Sequence, residues 1–108
     1  DKDKADQEGA TPLFAAAQDG HVEVVQALLA AGSDKDKARH DGTTPLIVAA
    51  KTGHVEVVQA LLAAGSDKDK AVPDGATPLY EAAEIGHVEV VRALCAAGAE
   101  KDKAMQDG

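Results

Sequence analysis

Apolar residues in this chain come in short bursts that return every 33 positions. One burst, Val22, Val24, Val25, Leu28 and Leu29, is repeated from Val55 to Leu62 and again from Val88 to Cys95, and each copy runs out at a glycine, Gly32, Gly65 or Gly98. A shorter burst precedes it: Leu13, Ala16 and Ala17, returning as Leu46, Ala49 and Ala50 and as Leu79, Ala82 and Ala83. Spacings of three and four residues put such positions on one side of a helix. The pattern predicts two short helices per repeat. The first opens at Thr11-Pro12: Thr is a good N-cap, and Pro loses nothing at a first helical position whose N–H has no partner in the helix. It ends at Gly20, a residue suited to the left-handed conformation just past a helix. The second runs over roughly 21–31 and ends at Gly32 in the same way. Helices of two or three turns are too short to be stable alone in water, so neighbours must hold them.

Helical projection shows which sides are held. Val22, Val25 and Leu29 share one direction, with Val24 and Leu28 beside them, which leaves Glu23, Gln26 and Ala30 as a narrow contrary strip. An arc that wide implies contacts on two sides, with the partner helix and with the next repeat. In the first helix Leu13, Ala16 and Ala17 form the buried side. Phe14, Ala15, Gln18 and Asp19 fall at about 100°, 200°, 140° and 240° from Leu13, opposite that side.

Repetition is not uniform. Residues 20–38 and 53–71 are identical, whereas eight of fourteen positions differ between residues 6–19 and 39–52. A fixed scaffold with a varied face is what recognition, rather than catalysis, requires. An identity over 19 residues also points to design or very recent duplication. Between helix pairs lies the alternating run Asp34-Lys35-Asp36-Lys37, followed by an Asp-Gly turn signal at 41–42, with Glu8-Gly9 and Asp74-Gly75 as its counterparts. A flexible, solvated loop would show the same alternation; the favoured reading is a short extended finger projecting from the helices.

Thr-Pro-Leu opening a helix, Gly-His opening the next, a Leu-Leu-x-x-Gly ending and the 33-residue period together resemble the ankyrin repeat. The resemblance covers essentially the whole chain. It implies an all-α-type repeat solenoid of helix-turn-helix units with short beta-fingers: a single domain over 1–108, with units at approximately 6–38, 39–71 and 72–104 and partial unit ends at 1–5 and 105–108. It also implies a non-enzymatic module that binds a partner protein through the fingers and the concave side of the first helices. The chain departs from the family pattern where Phe14, Ile47 and Tyr80 replace its usual His, and where Lys35-Asp36, Lys68-Asp69 and Lys101-Asp102 replace its common Val-Asn. The ends lack the polar capping repeats that a solenoid normally carries. Three readings stand: a fragment of a longer array, an uncapped engineered array, or a module that stacks end to end.

The varied positions outline the expected recognition surface. The first unit offers Gln7, Glu8, Ala10, Gln18 and Asp19, acidic and amide in character. The second offers Arg39, His40, Thr43, Lys51 and Thr52, the one locally basic strip. The third offers Pro73, Asp74, Tyr80, Glu81, Glu84 and Ile85, acidic with apolar anchors. Tyr80 and Ile85 are the hot-spot candidates, since aromatic and apolar anchors dominate binding energy. A matching partner presents basic groups flanking an acidic or amide centre. The competing reading is an idle face that has drifted, in a scaffold with no specific partner.

Charge and composition narrow the field. With 19 acidic and 11 basic residues the chain carries a net −8. That repels phosphate, so neither nucleic acid nor an anionic membrane surface is an expected partner. No apolar stretch approaches a bilayer span. One cysteine rules out an internal disulfide framework and leans towards the cytoplasm or another reducing compartment. No catalytic residues, metal site or cofactor are expected. His21, His54 and His87 recur at one position, but stacked helices stand ~8–10 Å apart, too far for equivalent imidazoles to share an ion at about 2 Å. They are expected to be turn or helix-start residues. Cys95, at the place of Leu29 and Leu62, is expected to be a small buried hydrophobe.

Overall fold

The computed structural model describes residues 3–99. Six helices follow in chain order: α1 (Pro12–Asp19), α2 (Val22–Ala30), α3 (Pro45–Thr52), α4 (Val55–Ala63), α5 (Pro78–Ile85) and α6 (Val88–Ala96). Each odd helix packs on the even helix after it; α1, α3 and α5 stack as one layer, α2, α4 and α6 as a second. The molecule is elongated, 38 × 26 × 20 Å.

Local chemistry sets the helix ends. Thr11, Thr44 and Thr77 are buried N-caps whose hydroxyls accept the N–H of Phe14, Ile47 and Tyr80 at 3.1 Å. Proline follows each cap, and Gly20, Gly53 and Gly86 close the odd helices with φ between 77° and 97°. The even helices run from Val22, Val55 and Val88, one residue inside the expected start. His21, His54 and His87 sit at their N-caps with no side-chain capping bond.

The core is thin and aliphatic. Leu13, Ala16, Ala17, Leu46, Ala49, Ala50, Leu79 and Ala82 are buried where the odd helices meet their partners. In the even helices the wide apolar arc divides as expected. Val57, Val90, Leu61 and Leu94 are enclosed, while of their counterparts in the first pair Val24 is 49% exposed and Leu28 half-buried. Val22 and Val55 are half-buried, while Val88, on the opposite flank of α6, is 56% exposed. One flank of the helix pair faces the preceding pair and the other faces the following one.

Three expectations change. Phe14 is 1% exposed rather than opposite the buried side, and Ile47, in the place that the family gives to its usual His, is 1% exposed as well. Their position lies on the flank that the next pair covers, and the Arg39 guanidinium stands 4.8 Å above the Phe14 ring centre. Val48, at the position of Ala15, is also buried. Cys95 is exposed: Leu29 and Leu62 are themselves only half-buried there, and no described helix follows α6 to cover the thiol. The Asp-Lys runs, finally, form turns rather than an extended ribbon. Asp34 Oδ1 accepts the Asp36 N–H at 3.1 Å, and Asp67 does the same for Asp69. The other carboxylates link the loops, Asp3 taking the Asp34 N–H and Asp36 the Asp67 N–H at 3.1 and 3.0 Å. Short polar side chains that bond backbone two residues on favour turns.

Candidate functional site

Each finger is a tight turn closed by its own backbone. Asp6 donates its N–H to the Ala10 carbonyl at 2.9 Å, as Arg39 does to Thr43 at 2.9 Å and Val72 to Ala76 at 3.0 Å. A carboxylate braces each turn from inside: Asp6 accepts the N–H groups of Glu8 and Ala10, Asp41 that of Thr43, and Asp74 that of Ala76. The fingers also touch one another. His40 donates its N–H to the Glu8 carbonyl at 2.8 Å. Pro73 stands at the equivalent place in the third finger and has no N–H to give; its ring instead lies where a Cβ on Gly42 would fall, 2.7 Å from the Pro73 Cδ.

Electrostatics are most organised in the middle finger. Arg39 grips Asp41 with two nitrogens, Nε at 3.2 Å and Nη2 at 2.7 Å. That bond, joined by the Thr43 N–H, holds the Asp41 carboxyl well below the ordinary carboxylate range, and Asp41 in turn raises Arg39. The guanidinium is thus neutralised on one side and stacked on Phe14 on the other, which fixes the finger over α1.

Between the fingers and the odd helices lies a groove of about 390 Å³, lined by Gln18, Arg39, Asp41, Thr43, Ile47, Val48, Lys51, Thr52, Glu81 and Ile85. Seven of the expected partner-binding residues meet there: Gln18, Arg39, Thr43, Lys51, Thr52, Glu81 and Ile85. All ten lining positions are ones at which the repeats differ. Of its two cations Arg39 is committed to Asp41, whereas Lys51 has no ion-pair partner among the described residues. The Thr52 hydroxyl turns back to the Val48 carbonyl at 2.7 Å. Gln7, Glu8 and His40 line a second, shallower depression between the first two fingers with Arg39 and Asp41. Asp19, Pro73, Asp74, Tyr80 and Glu84 are exposed outside both, and Ala10 is half-buried. Tyr80 is 39% and Ile85 49% exposed, the two large apolar side chains open to solvent on this side.

Sequence reasoning placed the histidines at turns or helix starts, and they stand at the starts of the even helices, but it missed what they do. The His54 Nε2 lies 3.1 Å from the Gln18 carbonyl, and the His87 Nε2 lies 3.0 Å from the Lys51 carbonyl. A carbonyl can only accept, so Nε2 carries the proton in both rings. Each histidine therefore ties its helix pair to one of the last, unpaired carbonyls of the preceding odd helix. A Cβ on Gly20 or Gly53 would fall 2.6 or 2.7 Å from the clasping ring. The signal in the sequence was the unbroken Gly-His pair; the partner, 36 residues away, was not visible in it.

Among the described residues no group of three or more His, Cys, Asp or Glu side chains could hold a metal ion, and no helix is long and apolar enough to cross a membrane. Among curated proteins, none matches the chain. A family model described as ankyrin repeats, in three copies, matches residues 1–72 and 32–105. With the paired helices, the buried Thr-Pro openings and the repeated clasp on the page, the chain belongs to the ankyrin-repeat family.

Proposed function

We propose that the chain is a non-enzymatic protein-binding module whose partner rests on the fingers and the open side of α1, α3 and α5, centred on the groove around Lys51. Ankyrin repeats are generally protein–protein interaction modules, and typically not enzymes. The observation that carries the reading to this face is the coincidence of variation with the groove: every residue lining it stands at a position that differs among repeats whose remaining sequence is nearly invariant. Lys51 supplies an uncommitted cation at the centre. Glu81 and Ile85 line the groove with it, adding negative charge and apolar area, and Glu84 and Tyr80 are exposed outside it. The partner that fits is a protein surface with an acidic or amide group opposite Lys51 and basic groups on either side. The net −8 disfavours nucleic acid and anionic membrane in its place.

A second reading has an observation of its own. Phe14, Ile47 and Val48 vary and yet are buried, so part of the variation serves packing, as it would in a natural or engineered scaffold with no partner. Affinity capture with the native chain beside a K51E/Y80A/I85A variant separates the two. Loss of a partner with the variant, by roughly 30-fold or more in affinity for a hot-spot residue, is expected. A partner retained equally by both proteins, or none with either, leaves the scaffold reading ahead.

A further inference from the structure

Acidic and basic groups on the open side of the odd helices follow an order, and the stacking fixes their spacing. Gln18, Lys51 and Glu84 are equivalents on α1, α3 and α5; so are Asp19, Thr52 and Ile85. All six are exposed. Both rows stay open even on α3, which is packed on either side, so their exposure owes nothing to the outer pairs. From α1 to α5 the face runs acidic at Asp19, basic at Lys51, and acidic again at Glu84 with Glu81 one turn before it. None of these four has an ion-pair partner among the described residues. Arg39 leaves the order unchanged, because Asp41 balances its charge inside the finger. The groove follows the same rows, from Gln18 through Lys51 to Ile85.

Spacing decides what kind of segment matches that order. Helices packed side by side stand ~8–10 Å apart, so successive charges along the face are separated by about that distance. In an α-helix two residues seven apart point the same way to within about 20° and lie about 10.5 Å from each other. In an extended chain the side chains of one face recur at about 6.6 Å and then about 13 Å, on either side of the required spacing.

We propose that the element seated on this face is an α-helix of the partner protein lying along the stack. It carries a basic residue opposite Asp19 and an acidic one, seven residues away, opposite Lys51. A second basic residue, seven further, meets Glu81 and Glu84, and an apolar side chain beside it covers Ile85, which is 49% exposed. The proposal rests on the reading of this face as a protein-binding surface and adds the shape and charge order of what binds.

Fluorescence anisotropy with labelled synthetic peptides of about 18 residues, long enough to span three packed helices, tests it. The first peptide carries Lys, Glu and Lys at seven-residue intervals, a leucine beside one terminal lysine, and a staple on its far face that holds it helical. The second is identical except that the three charges run Glu, Lys, Lys. The third keeps the first order but has no staple and a proline within each heptad, which breaks the helix. In about 0.1 M salt the Debye length is about 10 Å, close to the spacing, so the order of the charges is read as well as their sum. The first peptide is expected to bind the native chain at least about tenfold more tightly than the second or the third. K51E, altered at an exposed position, should keep the native unfolding midpoint and bind the first two peptides alike, since the central glutamate then meets a like charge. Equal affinity of the native chain for the first peptide and either control, a preference for the first over the second that survives in K51E, or no saturable binding of the first below ~1 mM overturns the proposal. Capture with K51E/Y80A/I85A decides the broader reading separately: a partner lost with that variant while the helical peptide fails means that the face serves a partner of another shape.

Discussion

Val24 and Val57 occupy the same place in the same 19-residue stretch of sequence, yet one is 49% exposed and the other 1%. Ile47 and Tyr80 make the opposite comparison along the stack, buried in the middle pair and 39% exposed in the last. Burial here belongs to the junction between helix pairs and not to the residue or its helix. Neither helix of a pair is long enough to stand alone. Among the described residues the enclosed middle pair therefore draws stabilisation from both of its flanks, and each outer pair from one, the nearest-neighbour arithmetic of a stacked array.

The sharpest way to break that comparison is to make one substitution at two places in identical sequence. Leu61 is fully buried and its counterpart Leu28 only half-buried. Leu61→Ala is expected to cost about 2–5 kcal/mol, the range for a buried leucine whose cavity does not collapse. Leu28→Ala should cost less than half of that, with equal denaturant slopes for the two variants. Equal losses would mean that stability resides within each helix pair and not between pairs.

The glycines sharpen it further. Gly53 and Gly86 both have positive φ, so alanine at either strains the backbone by roughly 1–2 kcal/mol. Only at Gly53 does the new Cβ also strike a histidine ring, at 2.7 Å from His87. Gly53→Ala should therefore exceed Gly86→Ala by about 1 kcal/mol or more, the hydrogen bond lost when the ring moves. A chemical-denaturation series reads both, and a Gly86→Ala cost as large as that of Gly53→Ala would remove the clasp from the account.

What could be read in the sequence follows the same division. Helix existence, the Thr-Pro openings and the Gly20-type endings were legible because each rests on a residue's own backbone preferences and on contacts within four positions. The two-sided arc of the even helices was legible too, since its width exceeds what one partner can cover. The burial of Phe14 and Val48 was not. Angle around a helix separates inside from outside only when one side is packed, and in a stack the flanks are packed as well. Cys95 fails because its place in the arc is only partly covered even inside the stack, where Leu29 and Leu62 are half-buried. Of the candidate surface, the gathering of Gln18, Lys51, Thr52, Glu81 and Ile85 around one groove follows from the vertical stacking of equivalent positions. The commitment of Arg39 to Asp41 and Phe14 needed coordinates, because it joins a finger to a helix of the preceding pair.

The histidines give a smaller effect of the same kind. His87→Ala removes a bond to the Lys51 carbonyl and should cost about 0.5–1.5 kcal/mol. His21→Ala at low protein concentration removes an exposed ring at the open end and should lie within about 0.5 kcal/mol of native. Thermal or urea midpoints of the two variants check this directly. Matching losses would show that the imidazole acts at the start of its own helix and not across the junction.

The smallest effect distinguishes the fingers. In the middle finger Arg39 and Asp41 pair at 2.7 Å, whereas in the third Val72 stands in the place of Arg39 and Asp74 has only the Ala76 N–H. Because Arg39 and the Thr43 N–H lower the Asp41 carboxyl in the folded chain, the folded state binds that proton less readily than the unfolded one. Its contribution is then complete above the unfolded value of about 3.9 and is lost as pH falls below it towards the depressed folded value. The Asp41 side chain is 53% exposed and its partner 26%, so solvent screening limits the contribution to about 1 kcal/mol at most. Asp41→Asn is expected to be less stable than native at pH 7, and the gap to narrow steadily as pH falls below about 4, where the unfolded chain takes up the proton that the folded carboxylate still refuses. Stability curves of the two proteins across that window, compared as a difference so that the other carboxylates cancel, measure the effect. A gap that stays constant with pH would show that the ion pair adds nothing to the middle finger beyond the backbone turn and the side-chain brace that the third finger also has.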